Sequence, residues 1–279
     1  MAQNKLLKIQ LFASGYCEAH AYIVNKNDGY GKTKFYAVWA LMDIPHVGYV
    51  MFDTGYSSFF RQATQRFPDR LYRWATPMNL DSQQSAKAVL QSKNIGVNDV
   101  KYIIISHFHA DHIAGLKDFP QAQFICSKSA YDEIINLKGV KAVSKGILHG
   151  LIPADFMARV NFIEDIANVI YNDEVGLREY QLFNLENLRF VHLPGHARGM
   201  LGFIYKKESD DIFYGTDASW SYYTYANKIL PHKIVNLFID SWSDFVQTQE
   251  RIKAYESLHQ STILFTHCPK TLQFIANEI

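Results

Sequence analysis

Cysteine is scarce in this chain: three residues among 279, Cys17, Cys126 and Cys268, widely separated and in no paired spacing. That excludes a disulfide framework and a thiolate zinc knuckle, and it fits a reducing, cytoplasmic setting. Long apolar runs are missing too. No stretch approaches the ~18 residues that suggest a membrane-spanning helix, and Lys8 and Gln10 break the opening MAQNKLLKIQLFASGYC, which reads as a first strand and not as a secretion signal. An excess of one charge is lacking as well. The 28 Lys and Arg nearly balance the 27 Asp and Glu, for a formal net charge of +1, so neither a nucleic-acid nor a membrane partner is expected. With no repeat, low-complexity tract or linker in view, one domain over residues 1–279 is the expectation.

What is there is ordinary for a soluble globular protein, with 48% hydrophobic and 20% charged residues. The β-branched and aromatic segments KIQLFA, HAYIV, KFYAVWALM and GYVMFDTG predict strands, with NKNDGYGKTK as a turn. Residues 56–78, aromatic and rich in arginine, read as a helix and loop over an opening. Asp81 as N-cap, apolar residues at helical spacing and Gly96 as a stop predict a helix over 81–96. Strands follow at VKYIIIS and AQFICS, a helix at SAYDEIINLKG, and helix or loop over 139–160. In the second half LRFVHLPGH, GMLGFIYKK, DIFYGTDAS and STILFTHC predict strands and SDFVQTQERIKAYESLH a helix. Strands, then alternating strand and helix, twice over, predict an α/β fold of two sheets packed face to face with helices outside.

Chemistry concentrates at SHFHADHIAG, residues 106–115, where three histidines and an aspartate fall within six positions after an apolar strand. On an extended backbone His107 and His109 share a face and can reach one ion, while Phe108 points into the core. If the chain then turns helical, Asp111 and His112 swing away and can hold a second ion. Imidazole and carboxylate suit Zn²⁺, with Fe, Mn and Co also compatible. Two coordination shells need more donors, and His196 in HLPGH, Asp217 in FYGTDAS and His267 in ILFTHC each follow a predicted strand. Donors at strand ends are what convergence on one edge of a sheet pair would give.

The order His-x-His-x-Asp-His, then His after Pro-Gly, then Asp, then His resembles the metallo-β-lactamase-fold hydrolases, over essentially the whole chain. The resemblance implies a four-layer αββα sandwich and two divalent metal ions. His107, His109 and His196 would hold the first ion, Asp111, His112 and His267 the second, and Asp217 would bridge them. MFDTGY is similar to the family's early Asp-Thr-Gly segment, where Asp53 would brace a ligand from behind. A hydroxide shared by the two ions would be the nucleophile, with Asp111 or Asp217 handling the proton for the leaving group.

Within that fold PGHARGMLGF and FYGTDAS most resemble the lactonase-like branch, so the expected substrate is a lactone or carboxylic ester with an apolar part, such as an N-acyl homoserine lactone. Where that branch commonly has Asp-Ala-Ser-Tyr, this chain has Trp220, whose indole cannot act as a phenol does. Tyr222 and Tyr223 are the nearby phenols, and with Phe59, Phe60 and Trp74 they suggest an aromatic pocket. A glutathione thioesterase, with Arg198 and Lys270 near the substrate tail, a phosphodiesterase and a catalytically silent binding protein are the alternatives. β-Lactamases of the class lack the bridging aspartate, and a nuclease would want a basic channel. His20, His46, His149, His192, His232 and His259 are read as structural, and the aromatics of 56–80 as a pocket or a homodimer contact.

Overall fold

The computed structural model describes residues 6–279. The first sheet holds β1 (Lys8–His20), β2 (Lys32–Ile44), β3 (Gly48–Phe52), β4 (Met78–Asn79), β5 (Val100–Ile104), β6 (Gln123–Cys126) and β7 (Val160–Phe162), in the order β4-β1-β2-β3-β5-β6-β7. The second holds β8 (Asn168–Asn172), β9 (Leu177–Gln181), β10 (Leu188–His192), β11 (Leu201–Tyr205), β12 (Asp211–Tyr214) and β13 (Ser261–Leu264), in the order β13-β12-β11-β10-β9-β8.

Two-residue periodicity explains why the sheets stack. In β2, Val38, Ala40 and Met42 face the other sheet while Ala37, Trp39 and Leu41 face the helices, so the strand is buried on both sides and reads as an almost unbroken apolar run. Between the sheets Phe52 meets Phe203 at 5.2 Å, Tyr214 at 6.0 Å and Phe190 at 6.2 Å between ring centres. Fully burying each such ring is worth ~1.5–3 kcal/mol. Outside the first sheet pack helices that include Ala86–Ser92 and Lys128–Asn136. Outside the second, Ile252 and Tyr255 of the helix Trp242–Leu258 close on Val191, Phe213 and Ile263. The layers are therefore αββα, as the resemblance implied. Among the described residues no helix is long and apolar enough to cross a membrane.

Local expectations failed where tertiary pairing overrode them. HAYIV is not a separate strand: β1 runs 13 residues to His20, with an irregular register between Ala13 and Tyr16 where Gly15 adopts φ +76°, and Ala21–Val24 turns helical. Ala21 N–H donates to Gly31 O across the turn, fixing that exit from the sheet. Asp81 caps only the 3₁₀ turn Ser82–Gln84, whereas Ser85 accepts from Ala88 N–H and starts the helix Ala86–Ser92. Residues 139–160 hold the short helices Gly139–Ser144 and Phe156–Arg159. β7, β8 and β9 had no sequence assignment, and β7 and β8 are edge strands with partly polar, partly exposed sequences.

Candidate metal centre

Four strand ends deliver the candidate donors to one edge of the sandwich. The chain leaves β5 into Ser106 and His107, β10 into His196, β12 into Asp217 and β13 into His267. Backbone bonds lock the ends together: Leu201 N–H donates to Ser106 O at 2.9 Å between the sheets, and Thr266 N–H donates to Thr216 O at 3.0 Å. After His109 the chain makes a single helical turn, Ala110–Ile113, which redirects Asp111 and His112.

All seven expected donors meet there. Ligand atoms of His107, His109 and His196 lie within 4.8 Å of one another, as do those of Asp111, His112 and His267 and those of His107, His112 and Asp217. Nε2 of His196 faces Nδ1 of His109 at 2.9 Å. Asp217 touches members of both groups, with Oδ2 2.9 Å from His267 Nε2 and 3.4 Å from His196 Nε2, and Oδ1 3.4 Å from His112 Nε2. Asp111 Oδ2 lies 3.4 Å from His267 Nε2 and 3.6 Å from His112 Nε2.

The surroundings aim these rings. His112 Nδ1–H donates to Asp53 Oδ2 at 2.7 Å and His267 Nδ1–H donates to Tyr36 O at 2.8 Å, so each turns Nε2 towards the centre. Asp53 also accepts from Ser106 N–H at 2.8 Å and Ser106 O–H at 2.7 Å, and it holds φ +61°, a conformation Asp tolerates better than most residues. Thr54 donates through both N–H and O–H to His112 O, and a Cβ on Gly115 would come 2.9 Å from Thr54 Cβ, so glycine keeps that contact open.

Electrostatics divides the histidines. Burial, aided by neighbouring imidazoles, pushes His107 and His196 well below the ordinary imidazole value, and burial takes His109 down to about 4. Burial opposes charge at His112 and His267 as well, yet the carboxylates of Asp111 and Asp217 lift both above it, His112 the further with help from Asp53. Asp217 runs the other way: despite burial, His267 and His112 hold it well below the carboxylate range. A field that attracts a proton to this pocket attracts a cation more strongly. Buried His107 Nε2, His112 Nε2, His196 Nδ1 and Asp217 Oδ1 have no hydrogen-bond partner, which buried polar atoms rarely tolerate. Such a set of imidazole and carboxylate donors fits divalent metal.

Asp53→Asn keeps the backbone shape and removes the charge behind His112. Metal affinity should fall about 10–100-fold, as read by competition with a chromophoric chelator. Unchanged affinity would refute the bracing role.

Around the centre the expectations divide. Trp220 sets its ring edge-on to His196 at 5.7 Å and to Phe35 at 6.0 Å, and Phe35 meets His267 at 5.2 Å. Tyr222 faces elsewhere, donating to Glu256 at 3.1 Å beneath Lys270, so it supplies no phenol to the centre. Tyr223 is solvent-exposed and lines a cavity of about 150 Å³ with Phe35, Trp220 and His267. Phe60 is buried against Tyr56, and Trp74 projects into solvent. The pocket that opens beside His109 is another one, about 350 Å³, walled by Leu71, Tyr72, Ala75, Val140, Val143 and Phe238. Leu71, Tyr72 and Ala75 belong to the 56–78 stretch read as covering an opening, whereas Val140, Val143 and Phe238 were missed because distant segments supply them.

The other histidines lie outside the donor set. His149 contacts Ile134 O, His232 accepts from Ile234 N–H, and burial holds His192 down at about 4. Cys17, Cys126 and Cys268 are free and buried.

Fold and donor set together define a class: an αββα sandwich of the hydrolase type whose strand ends carry a site built for metal. The chain belongs to the Metallo-beta-lactamase superfamily, whose family model matches residues 40–267. It is similar to the N-acyl homoserine lactonase AttM of Agrobacterium fabrum, at 24% identity over 193 residues, 68% of this chain and 66% of that protein. The match thus spans just under two thirds of the relative. Among solved structures it resembles an N-acyl homoserine lactone hydrolase with the product N-hexanoyl-L-homoserine at its catalytic metal centre, with a TM-score of 0.76, 16% identity and 98% of each chain covered. An AiiA mutant from B. thuringiensis with N-decanoyl-L-homoserine bound at the active site gives a TM-score of 0.75 at 15% identity, again over 98% of each chain.

Proposed function

We propose that this protein is a dinuclear metal-dependent hydrolase that opens lactones or carboxylic esters, with N-acyl homoserine lactones the leading substrate class. The carrying observation is the meeting of seven donors, several of them buried without partners, beside an apolar pocket that shares His109 with them. His107, His109 and His196 would hold one ion and Asp111, His112 and His267 the other, with Asp217, in contact with both groups, between them. Zinc suits this donor set best. Such ions lower the pKa of water towards neutrality and polarise a carbonyl.

The chain's own groups do the rest. Asp217, kept ionised and enclosed, acts as a permanent acceptor. Asp111, a little more open at 8% exposure against 2% for Asp217, would carry the proton given up by the attacking water to the departing alkoxide. Trp220 and Phe35 pack edge-on against the imidazoles of His196 and His267 and hold those rings in place. The pocket of Leu71, Val143 and Phe238 takes the acyl chain, each buried methylene adding ~0.8 kcal/mol.

Glutathione thioesters are less favoured, since Arg198 lies 3.5 Å from Asp240 and Lys270 sits over Tyr222, so each cation already has a partner. The lactonase activity of the relatives and the apolar pocket together support the lactone reading.

The test is a hydrolysis panel on zinc-loaded protein: acyl homoserine lactones of several lengths, simple lactones, aryl esters, a glutathione thioester and a phosphodiester. Lactones should be opened fastest. Ala75→Phe, which narrows the pocket from its exposed rim, should lower kcat/KM for a decanoyl substrate about tenfold or more while sparing a butanoyl one. Turnover of the phosphodiester alone would overturn the reading. Purified protein that neither contains nor takes up metal would leave the silent-binding alternative.

A further inference from the structure

A net charge of +1 conceals a strong asymmetry. Segments 61–75, 138–145 and 228–238 contain nine of the chain's 28 Lys and Arg but only one of its 27 Asp and Glu, so the remainder of the molecule is net acidic. These three segments meet in space: Leu71 and Ala75 from the first, Val140 and Val143 from the second and Phe238 from the third wall the same pocket mouth. The same segments carry exposed apolar side chains as well as cations, although Lys228 lines a separate pocket and Glu133 and Asp240 lie beside Phe238. Phe67 is 72% exposed, Trp74 67%, Val140 54%, Leu237 68% and Phe238 51%. Large side chains standing out singly are normal, but several of them on adjoining segments rich in cations mark an interaction surface.

We propose that this face docks on an anionic lipid surface, with Trp74, Leu237 and Phe238 entering the headgroup boundary and the surrounding Lys and Arg resting on lipid phosphates. Exposed aromatic and aliphatic side chains with a basic rim match both halves of an anionic bilayer surface, apolar below and negative above. A nucleic acid would use the cations but would leave the apolar centre wet. A second copy of this chain would cover the apolar centre, but a two-fold contact would set like charge against like. The orientation also turns the pocket beside His109 towards the lipid, where amphiphilic acyl compounds partition. The inference goes beyond the hydrolase reading and holds whichever bond the site cleaves.

The test is co-sedimentation of the full chain with vesicles of phosphatidylcholine alone or with added phosphatidylglycerol, at low and high salt. Binding should appear only with phosphatidylglycerol and be lost at high salt. Trp74 should move to bluer emission on binding, a change that Trp74→Phe abolishes. Lys141→Glu with Lys233→Glu should weaken partitioning at least about tenfold, and Trp74→Ser with Leu237→Ser should do likewise. All four positions are exposed, so far-UV circular dichroism should match wild type. Equal sedimentation with both vesicle types, or none with either, overturns the proposal. So does a dimer, seen by light scattering, that the Trp74→Ser and Leu237→Ser pair dissociates, since the face would then belong to a second copy.

Discussion

Asp217→Ala is expected to lower bound divalent metal from two ions per chain to one or fewer and to cut kcat/KM for a lactone by about 10³, or ~4 kcal/mol of transition-state stabilisation. The magnitude follows from position. Asp217 is the one carboxylate in contact with His196 from the first histidine group and with His112 and His267 from the second. On the proposed dinuclear reading, alanine would leave the first ion three imidazoles and the second a carboxylate with two imidazoles, but nothing to hold the two in register. Neighbouring imidazoles keep Asp217 ionised, so the lost group is a full charge and not a hydrogen-bonding acid. Elemental analysis by mass spectrometry and steady-state kinetics check both halves. Two ions retained, with kcat/KM within tenfold of wild type, would show that Asp217 does not bridge.

The parts legible in sequence share a cause. Ser106 to His112, His196, Asp217 and His267 each follow an apolar segment that can only be a buried strand, and strand ends are where a layered fold exposes side chains. The strand-end pattern therefore placed the donors at one edge of the sandwich, and the family resemblance implied their grouping. Asp53 was legible only through that resemblance, since its value lies in bonds to Ser106 and His112, more than fifty residues on. Tyr222 and Tyr223 show the opposite limit. They follow Trp220 in sequence, but the helix Tyr222–Ala226 turns one phenol to Glu256 and leaves the other at the surface. Adjacent residues on a helix point about 100° apart, so nearness in sequence said little about which faces the site. Of the pocket beside His109 only the 56–78 wall, with Leu71, Tyr72 and Ala75, was legible as a cover over an opening; Val143 and Phe238 carried no signal, because they become its neighbours only when three segments fold together.

Gly195→Ala should be the most destabilising single-methyl change near the centre. Gly195 holds φ +129°, and a Cβ there would overlap the backbone N and Cα of Phe245 and lie 2.7 Å from Asp244 C. The obstacle is main chain in the first turn of the helix Trp242–Leu258, so no side chain can rotate aside. Either that helix shifts or the Pro-Gly-His turn does. Both routes break bonds, since Ser241 N–H donates to Gly195 O at 2.9 Å and Asp240 N–H donates to His196 O at 3.1 Å. Strain plus lost packing puts the cost at about 4 kcal/mol, the exceptional end for point substitutions, or a fall of roughly 8 °C in Tm for a chain of this size. Gly31→Ala is the control, because nothing lies within 4 Å of a Cβ at that position, and its Tm should stay close to wild type. Since the displaced turn carries His196, the protein that still folds should bind metal more weakly. A Gly195→Ala protein with wild-type Tm and metal affinity would mean that the helix yields freely, and that this turn does not fix His196.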